Sequence, residues 1–414
     1  MKERKIYTFL GGETPAPLGV LYVGQEHARE VYSFSFAASF LREHETFLDP
    51  HLSFFPGRQY APVDALFGMF QDAAPDRWGR VLMKKREAIR AREAGEKPRK
   101  LQESDFLLGV YDEGRMGALR LALAPDGPFL SDDTALAAPP WVQLRALEDA
   151  SHHLENDDEI KNGHWLDLLL APGSSLGGAR PKATVKAPDG SLWIAKFPSR
   201  HDEVDVGAWE MVAHDLAAEC GLRVPEAKCV AFSKRGSTFL VRRFDREGKQ
   251  RIPFASGMTM LGRQDNDHDA SYLDLLDFIL QHNIHPKEAE QELWKRIVFN
   301  LLISNTDDHL RNHGFLLMGG GWTLSPLYDV NPIPYGHELS LNITYDDATM
   351  SLVSATETAP LYEIAKSEAE RLISDMARMI VQHWQQLAKK YHIKNESVDR
   401  MRPAFSLAET AATS

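Results

Sequence analysis

Three side chains late in the sequence could take part in one reaction. Asp307 and Asn312 stand five apart in SNTDDHLRNHGFLL (304–317), a D-x-x-x-x-N spacing, and Asp329 follows in WTLSPLYDVNPIP (322–334). A carboxylate can orient an attacking hydroxyl and take its proton, while amide and carboxylate oxygens can hold Mg²⁺ across phosphates. The chemistry these residue types fit is phosphoryl transfer. Asp329 lies 17 residues after Asn312, enough chain for a hairpin that brings it back beside the first motif.

Alone, D-x-x-x-x-N is weak, because two common residue types at one spacing recur by chance. The upstream order adds to it. PGSSLGGARPK (172–182) is a small-residue loop entering a strand, and such loops let backbone N–H groups approach phosphates. It is not a Walker A loop, since Ala179 stands where that motif needs lysine, nor is it G-x-G-x-x-G. Lys196 sits mid-strand between Ala195 and Phe197, a costly place to bury a cation unless it meets an anion. Glu210 follows 14 residues later on a predicted helix. Protein kinases hold nucleotide phosphates with a strand lysine paired to a helix glutamate, then use D-x-x-x-x-N and a strand–turn Asp.

The elements that must position these groups are legible as patterns. LGVLYVG (18–24), SLWIAKFP (191–198) and STFLVRRFD (237–245) read as strands, and LLGVYDEGRMGALRLAL (107–123) as two strands joined by a glycine-rich turn. Residues 63–94 read as helix interrupted near Pro75. A helix is expected over 204–222, ending at Gly221, and another over 285–304 with Pro286 in its first turn. A long amphipathic helix carries its stripe from Leu361 to Tyr391, and the tail from Ala404 is expected to fray. The Pro-rich stretch 125–140 is the best candidate boundary.

Composition bounds the class. The 414 residues carry 47 Lys+Arg against 59 Asp+Glu, a net charge of −12, with 43% hydrophobic and 26% charged residues. This excludes a fibrous or wholly disordered chain and argues against unaided binding of nucleic acid. Residues 76–100 are the exception, with ten Lys/Arg against four Asp/Glu. Such a run is most simply a solvated helix face, with DNA contact as the sharper alternative. Two cysteines, Cys220 and Cys229, form no disulfide framework. The N-terminus lacks a signal-peptide core, and no apolar run reaches the roughly 18 residues of a membrane span. A soluble cytoplasmic protein is expected.

Two competing motifs fare worse. His309 and His313 form H-x-x-x-H, but Gly314 and the turn residues argue against the helix a zinc pair needs. Asp265, Asp267 and Asp269 mimic the start of a calcium loop, yet Ala270 and Leu276 occupy its glycine and glutamate positions. An acidic turn capping the helix SYLDLLDFILQ is the better reading.

The sequence resembles the HipA family, the serine/threonine kinase toxins of HipA–HipB toxin–antitoxin modules, over nearly its whole length. FGMFQDAAPDRWGR (67–80) and LLGVYDEGRMGALRL are similar to the family's N-terminal subdomain, SSLGGARPK to its glycine-rich loop and WIAKFP to its nucleotide-lysine strand. VRRFDR (241–246) resembles the hinge, NTDDHLRN the catalytic loop and LSPLYDVNP the metal strand. The resemblance implies an α+β, two-lobed protein-kinase-like fold. An N-terminal α+β subdomain (1–130) would precede a kinase N-lobe (140–245) and a mostly helical C-lobe (246–405). Asp307 would be the catalytic base, supported by His309, and Asn312 and Asp329 would bind Mg²⁺. Gly177, Gly178, Ala179, Lys182 and Lys196 would hold the ATP phosphates, with Glu210 as the supporting ion pair. Arg243, Phe244 and Asp245 would line the adenine site. Ser175 matches the loop serine that family members autophosphorylate, which ejects the loop and inactivates the kinase. Implied partners are a HipB-like helix-turn-helix antitoxin, DNA only through that antitoxin, and a protein substrate such as an aminoacyl-tRNA synthetase. A lipid or small-molecule kinase with a related catalytic loop, and a catalytically idle binding or repressor partner, are the alternatives.

Overall fold

The computed structural model describes residues 3–27, 29–43, 46–63, 65–155, 169, 178, 180–265, 267 and 269–413. Two compact units result, one of residues 1–199, 242–262 and 316–320, the other of 200–241, 263–315 and 321–414.

The first unit is built on a five-stranded antiparallel sheet. Its order is Gln59–Tyr60, Arg29–Phe36, Ala16–Glu26, Arg4–Leu10, Leu119–Ala122. Tyr32, Phe34 and Phe36 alternate onto the buried face, and Phe34 meets the Phe36 ring edge-on at 5.0 Å. Gly19 is required by a close approach, since a Cβ there would lie 2.2 Å from the Ser35 carbonyl. The interrupted helix predicted for 63–94 resolves into Gly68–Asp72 and Arg77–Glu93, the latter N-capped by Asp76 through Gly79 N–H at 2.8 Å. Two of its basic side chains are met locally, Arg80 on Glu103 and Arg90 on Glu87 at 2.6 and 2.9 Å.

One prediction fails here. Residues 107–109 end the helix Glu103–Gly109 rather than starting a strand, because Gln102 and Asp105 form a reciprocal capping box that nucleates it. The buried Arg115 then ties helix and loop together, donating to the carbonyls of Ala73, Leu107, Val110 and Leu130. The Pro-rich stretch 125–140 stays bonded to this unit through Leu130 N–H to Leu121 and Ser131 N–H to Val110. A hairpin of Lys182–Lys186 and Leu192–Lys196 completes the elements that matter below.

The second unit is mainly helical. Asp205 caps Val206–Glu219, which ends as expected at Gly221, with φ of 76° and a Leu222 N–H bonded back to Ala217. The hairpin Ala227–Ser233 and Gly236–Arg242 follows. The acidic turn is not the cap of Tyr272–His282. Ser271 and Asp274 form that helix's capping box, because Ser271 offers the nearer side-chain acceptor, and Asp269 pairs with Arg263 instead. Pro286–Leu302 carries its proline at the first turn and buries Leu293, Trp294, Ile297, Val298 and Leu301 completely. Among the described residues no helix is long and apolar enough to cross a membrane.

The tail does not fray. Ala404, Phe405 and Ala408 are buried, and the Phe405 ring stacks on Trp384 of the helix Lys366–Lys390 at 4.4 Å and 14°. Three small or apolar residues at helical spacing suffice to dock a short segment that reads as polar. Phe405→Ala is expected to destabilise the second unit by about 3–5 kcal/mol, read as a lower urea midpoint of the tryptophan fluorescence.

Candidate active site

In the second unit the chain leaves Pro286–Leu302, turns through Ser304 at φ of 53°, and forms the segment 305–312. Asp307 is exposed, whereas its neighbour Asp308 is buried. One oxygen of Asp308, Oδ2, accepts from Tyr272 Oη at 2.6 Å, Asn300 Nδ2 at 2.9 Å and His313 Nε2 at 2.8 Å. Asn305 Nδ2 donates to Asn300 Oδ1 at 3.0 Å, so helix end and loop are joined at both ends. Burial alone would push the Asp308 carboxyl up. The charge and hydrogen bond of His313 and the Tyr272 hydroxyl outweigh it, and the group sits below the usual carboxylate range. His313 is thereby committed to a carboxylate, and Leu310–Asn312 is a 3₁₀ turn, so the H-x-x-x-H pair does not share a helix face. His309 accepts from Asn312 N–H through its carbonyl at 2.8 Å and keeps a buried, partnerless Nδ1.

The loop closes on itself. Asn312 Nδ2 donates to the Asp307 carbonyl at 3.3 Å, while Asn312 Oδ1 is buried with no hydrogen-bond partner. The segment carrying Asp329 runs back along this loop. Ser325 N–H bonds to the Gly314 carbonyl at 2.8 Å, Tyr328 Oη to the Arg311 carbonyl at 2.6 Å, and Ile333 N–H to the Ser304 carbonyl at 3.2 Å. Asp329 itself adopts φ of 58°. A left-handed non-glycine residue costs roughly 1–3 kcal/mol and persists where surrounding contacts fix it, often at functional sites. Beneath, the fully buried Arg296 pairs with Glu292 at 2.9 Å and donates to the Ser325 carbonyl at 2.7 Å. Among the described residues no group of three or more His, Cys, Asp or Glu could hold a metal ion. The donor set of Asn312 and Asp329 is of another kind: a partnerless buried amide oxygen and a carboxylate, hard oxygen donors that suit Mg²⁺.

The first unit holds the second group of expected residues. Lys182 and Lys196 face one another directly across the hairpin, and both are buried, 4% and 6% exposed. Directly opposed residues project from the same sheet face, so two ammonium groups share one wall. Lys182 Nζ lies 3.1 Å from Asp76 Oδ2 and 3.4 Å from the Gly178 carbonyl. Glu210 is buried in the other unit, on Val206–Glu219. Gly178 is exposed, with φ of 89°. Ser175, Gly177 and Ala179 lie outside the described residues.

The side chains of Arg243 and Asp245 are spent internally. Arg243 bonds to Asp245 at 2.9 and 2.6 Å and to the carbonyls of Gly114 and Arg115. Asp245 also accepts from Arg246 at 2.6 Å and Gly117 N–H at 2.7 Å. Phe244 between them is part-exposed. Burial disfavours the charged Asp245, but the two arginines prevail and lower its pKa to about 2. A depressed folded-state pKa means the stabilisation is complete above the ordinary carboxylate range near pH 4 and drains away as pH falls from about 4 to about 2. Urea midpoints of wild type should therefore drop over that window, and those of Asp245→Asn, already lower at pH 7, should drop less.

Sequence reasoning missed Asp308, Asn300, Tyr272 and Asp76. The doubled carboxylate of TDDH is the one local signal that Asp307 has a structural neighbour.

The HipA-like C-terminal domain family matches residues 174–384, half of the chain, and the chain belongs to that family. A Haemophilus influenzae protein that bears only the provisional name of kinase is 29% identical over 249 residues, 53% of this chain and 70% of its own length. The serine/threonine-protein kinase CtkA of Helicobacter pylori is 27% identical over 176 residues, 40% of this chain and 54% of its own. The solved HipA of Shewanella oneidensis MR-1, from a complex with HipB and operator DNA, matches with a TM-score of 0.70 at 16% identity, covering 98% of this chain and 96% of that one. The α+β, kinase-like fold of HipA is thus the fold of this chain.

Proposed function

We propose that the chain is an ATP- and Mg²⁺-dependent serine/threonine protein kinase of HipA type and the toxin component of a type II toxin–antitoxin pair. The observation that carries this reading is the self-closed loop 305–312. There Asp308 takes up the structural load, Asp307 stays exposed, and Asn312 keeps an oxygen without a partner. In this reading Asp307 orients the acceptor hydroxyl and accepts its proton as the oxygen attacks the γ-phosphorus and the bond to the β-phosphate oxygen breaks. Mg²⁺, held by Asn312 and Asp329, would neutralise charge on the phosphates. The lysine wall of Lys182 and Lys196 meets their remaining charge, and Gly177, Gly178 and Ala179 offer backbone N–H groups. Glu210 supports Lys196, and His309 supports the loop. Phe244 and the backbone of Arg243 and Asp245 line the adenine, since those two side chains are otherwise engaged.

Functionally we divide the chain into an N-terminal subdomain (1–130), a kinase N-lobe (140–245) and a helical C-lobe (246–405). A HipB-like helix-turn-helix antitoxin is the proposed partner, with DNA reached through it. The HipA–HipB–operator complex of the Shewanella protein and the toxin name of an Escherichia coli relative, YjjJ, support this. An acidic body of net charge −12 suits a basic, DNA-binding partner. The proposed substrates are a translation component, such as an aminoacyl-tRNA synthetase, and Ser175 of the chain itself. The test is a panel of acceptors incubated with γ-labelled ATP. Label on protein serine or threonine is the expected result. Label confined to lipid or small molecules would overturn the protein-kinase reading.

A further inference from the structure

The PDRWGR motif (75–80) lies far from the catalytic loop in sequence, yet its aspartate reaches the lysine wall. Asp76 uses one oxygen, Oδ1, to cap Arg77–Glu93 through Gly79 N–H at 2.8 Å. The other, Oδ2, faces Lys182 Nζ at 3.1 Å, with the two side chains only 6% and 4% exposed. Lys182 in turn reaches the Gly178 carbonyl at 3.4 Å, and it lies directly across the ladder from Lys196. Two buried ammonium groups on one face repel one another, and a desolvated carboxylate beside one of them relieves that repulsion. The same carboxylate fixes the direction of an otherwise flexible four-carbon side chain. Because Asp76 is itself the cap of a 17-residue helix, its position is set by the N-terminal subdomain rather than by the hairpin.

We infer that Asp76 is a positioning residue for nucleotide binding: it holds Lys182 against the chain at Gly178, so that the N-terminal subdomain sets the affinity of the phosphate-binding wall. This rests on the nucleotide role proposed above for Lys182. It differs from a purely structural cap in one respect, that the effect of Asp76 on nucleotide affinity passes through Lys182.

The test is a double-mutant cycle on the full chain, with ATP affinity measured by calorimetry and folding by thermal melting. Asp76→Asn keeps a good helix cap and removes only the charge. Asp76→Asn and Lys182→Met are each expected to raise the Kd for ATP about tenfold or more. Asp76→Asn/Lys182→Met should be no weaker than Lys182→Met alone, with a melting temperature above that of Asp76→Asn because no buried charge is left unpaired. The kcat of Asp76→Asn at saturating ATP should stay within about threefold of wild type, since Asp76 touches no reacting atom. Unchanged ATP affinity in the folded double variant, or additive losses across the cycle, would overturn the inference while leaving the kinase reading intact. A wild-type chain that binds no ATP would overturn both.

Discussion

Asp307→Asn is expected to lower kcat for phosphate transfer by roughly 10²–10⁴, the contribution of a positioned general base, while leaving the KM for ATP within a few-fold of wild type. Asparagine matches aspartate in shape but cannot take the proton of the attacking hydroxyl. The backbone at this position is held by the Asp307 carbonyl, which accepts from Asn312, so the substitution leaves that contact in place. The side chain is exposed and the substitution keeps its shape, so the melting temperature should move little. Steady-state kinetics with a labelled γ-phosphate check the split. A variant that transferred phosphate at the wild-type rate would remove Asp307 from the mechanism.

The neighbouring residue should behave in the opposite way. Asp308→Ala is expected to destabilise the second unit by about 3–5 kcal/mol, because it strips three buried donors of their shared acceptor at once. Tyr272, Asn300 and His313 come from two helices and the loop end, so their loss of a common partner loosens the catalytic loop from its support. Asp308→Asn is the control. It keeps an acceptor oxygen and loses the charge, and should recover part of the stability. Its activity should remain low, since the loop no longer fixes Asp307 and Asn312 within the tolerance that chemistry requires. Urea unfolding together with kcat at saturating ATP would separate the two effects. A folded, fully active Asp308→Ala protein would contradict the role assigned to this cluster. Adjacent aspartates thus differ in setting, Asp307 exposed and Asp308 facing the core.

Much of the fold could be read from the sequence because the signals were local. Gly221, Pro286 and the alternation of LWIAKFP mark element ends and a buried strand by chemistry that neighbours cannot easily override. Residues 107–109 were misread because a glycine-rich turn looked stronger than the Gln102–Asp105 capping box. The tail was misread because one aromatic, Phe405, decides its docking and its partner Trp384 lies 21 residues earlier on another helix. In the second unit, Asp307, Asn312 and Asp329 could be singled out as candidates because they follow a motif spacing. Asp308 was not, since its partner Tyr272 precedes it by 36 residues and pairwise burial leaves no trace in spacing. Arg243 and Asp245 were singled out only through the resemblance of VRRFDR to a hinge, and spacing gave no sign that each is the other's partner inside the first unit.

The most direct measurement of the central claim is the intact mass of the purified chain after incubation with Mg-ATP. Wild type should gain the mass of one phosphate, Ser175→Ala should gain none there while still labelling an external acceptor, and Asp307→Asn should gain none on any substrate over the time in which wild type goes to completion. A wild-type mass unchanged by Mg-ATP with no label on any acceptor, or a gain that persists in Asp307→Asn, would contradict it.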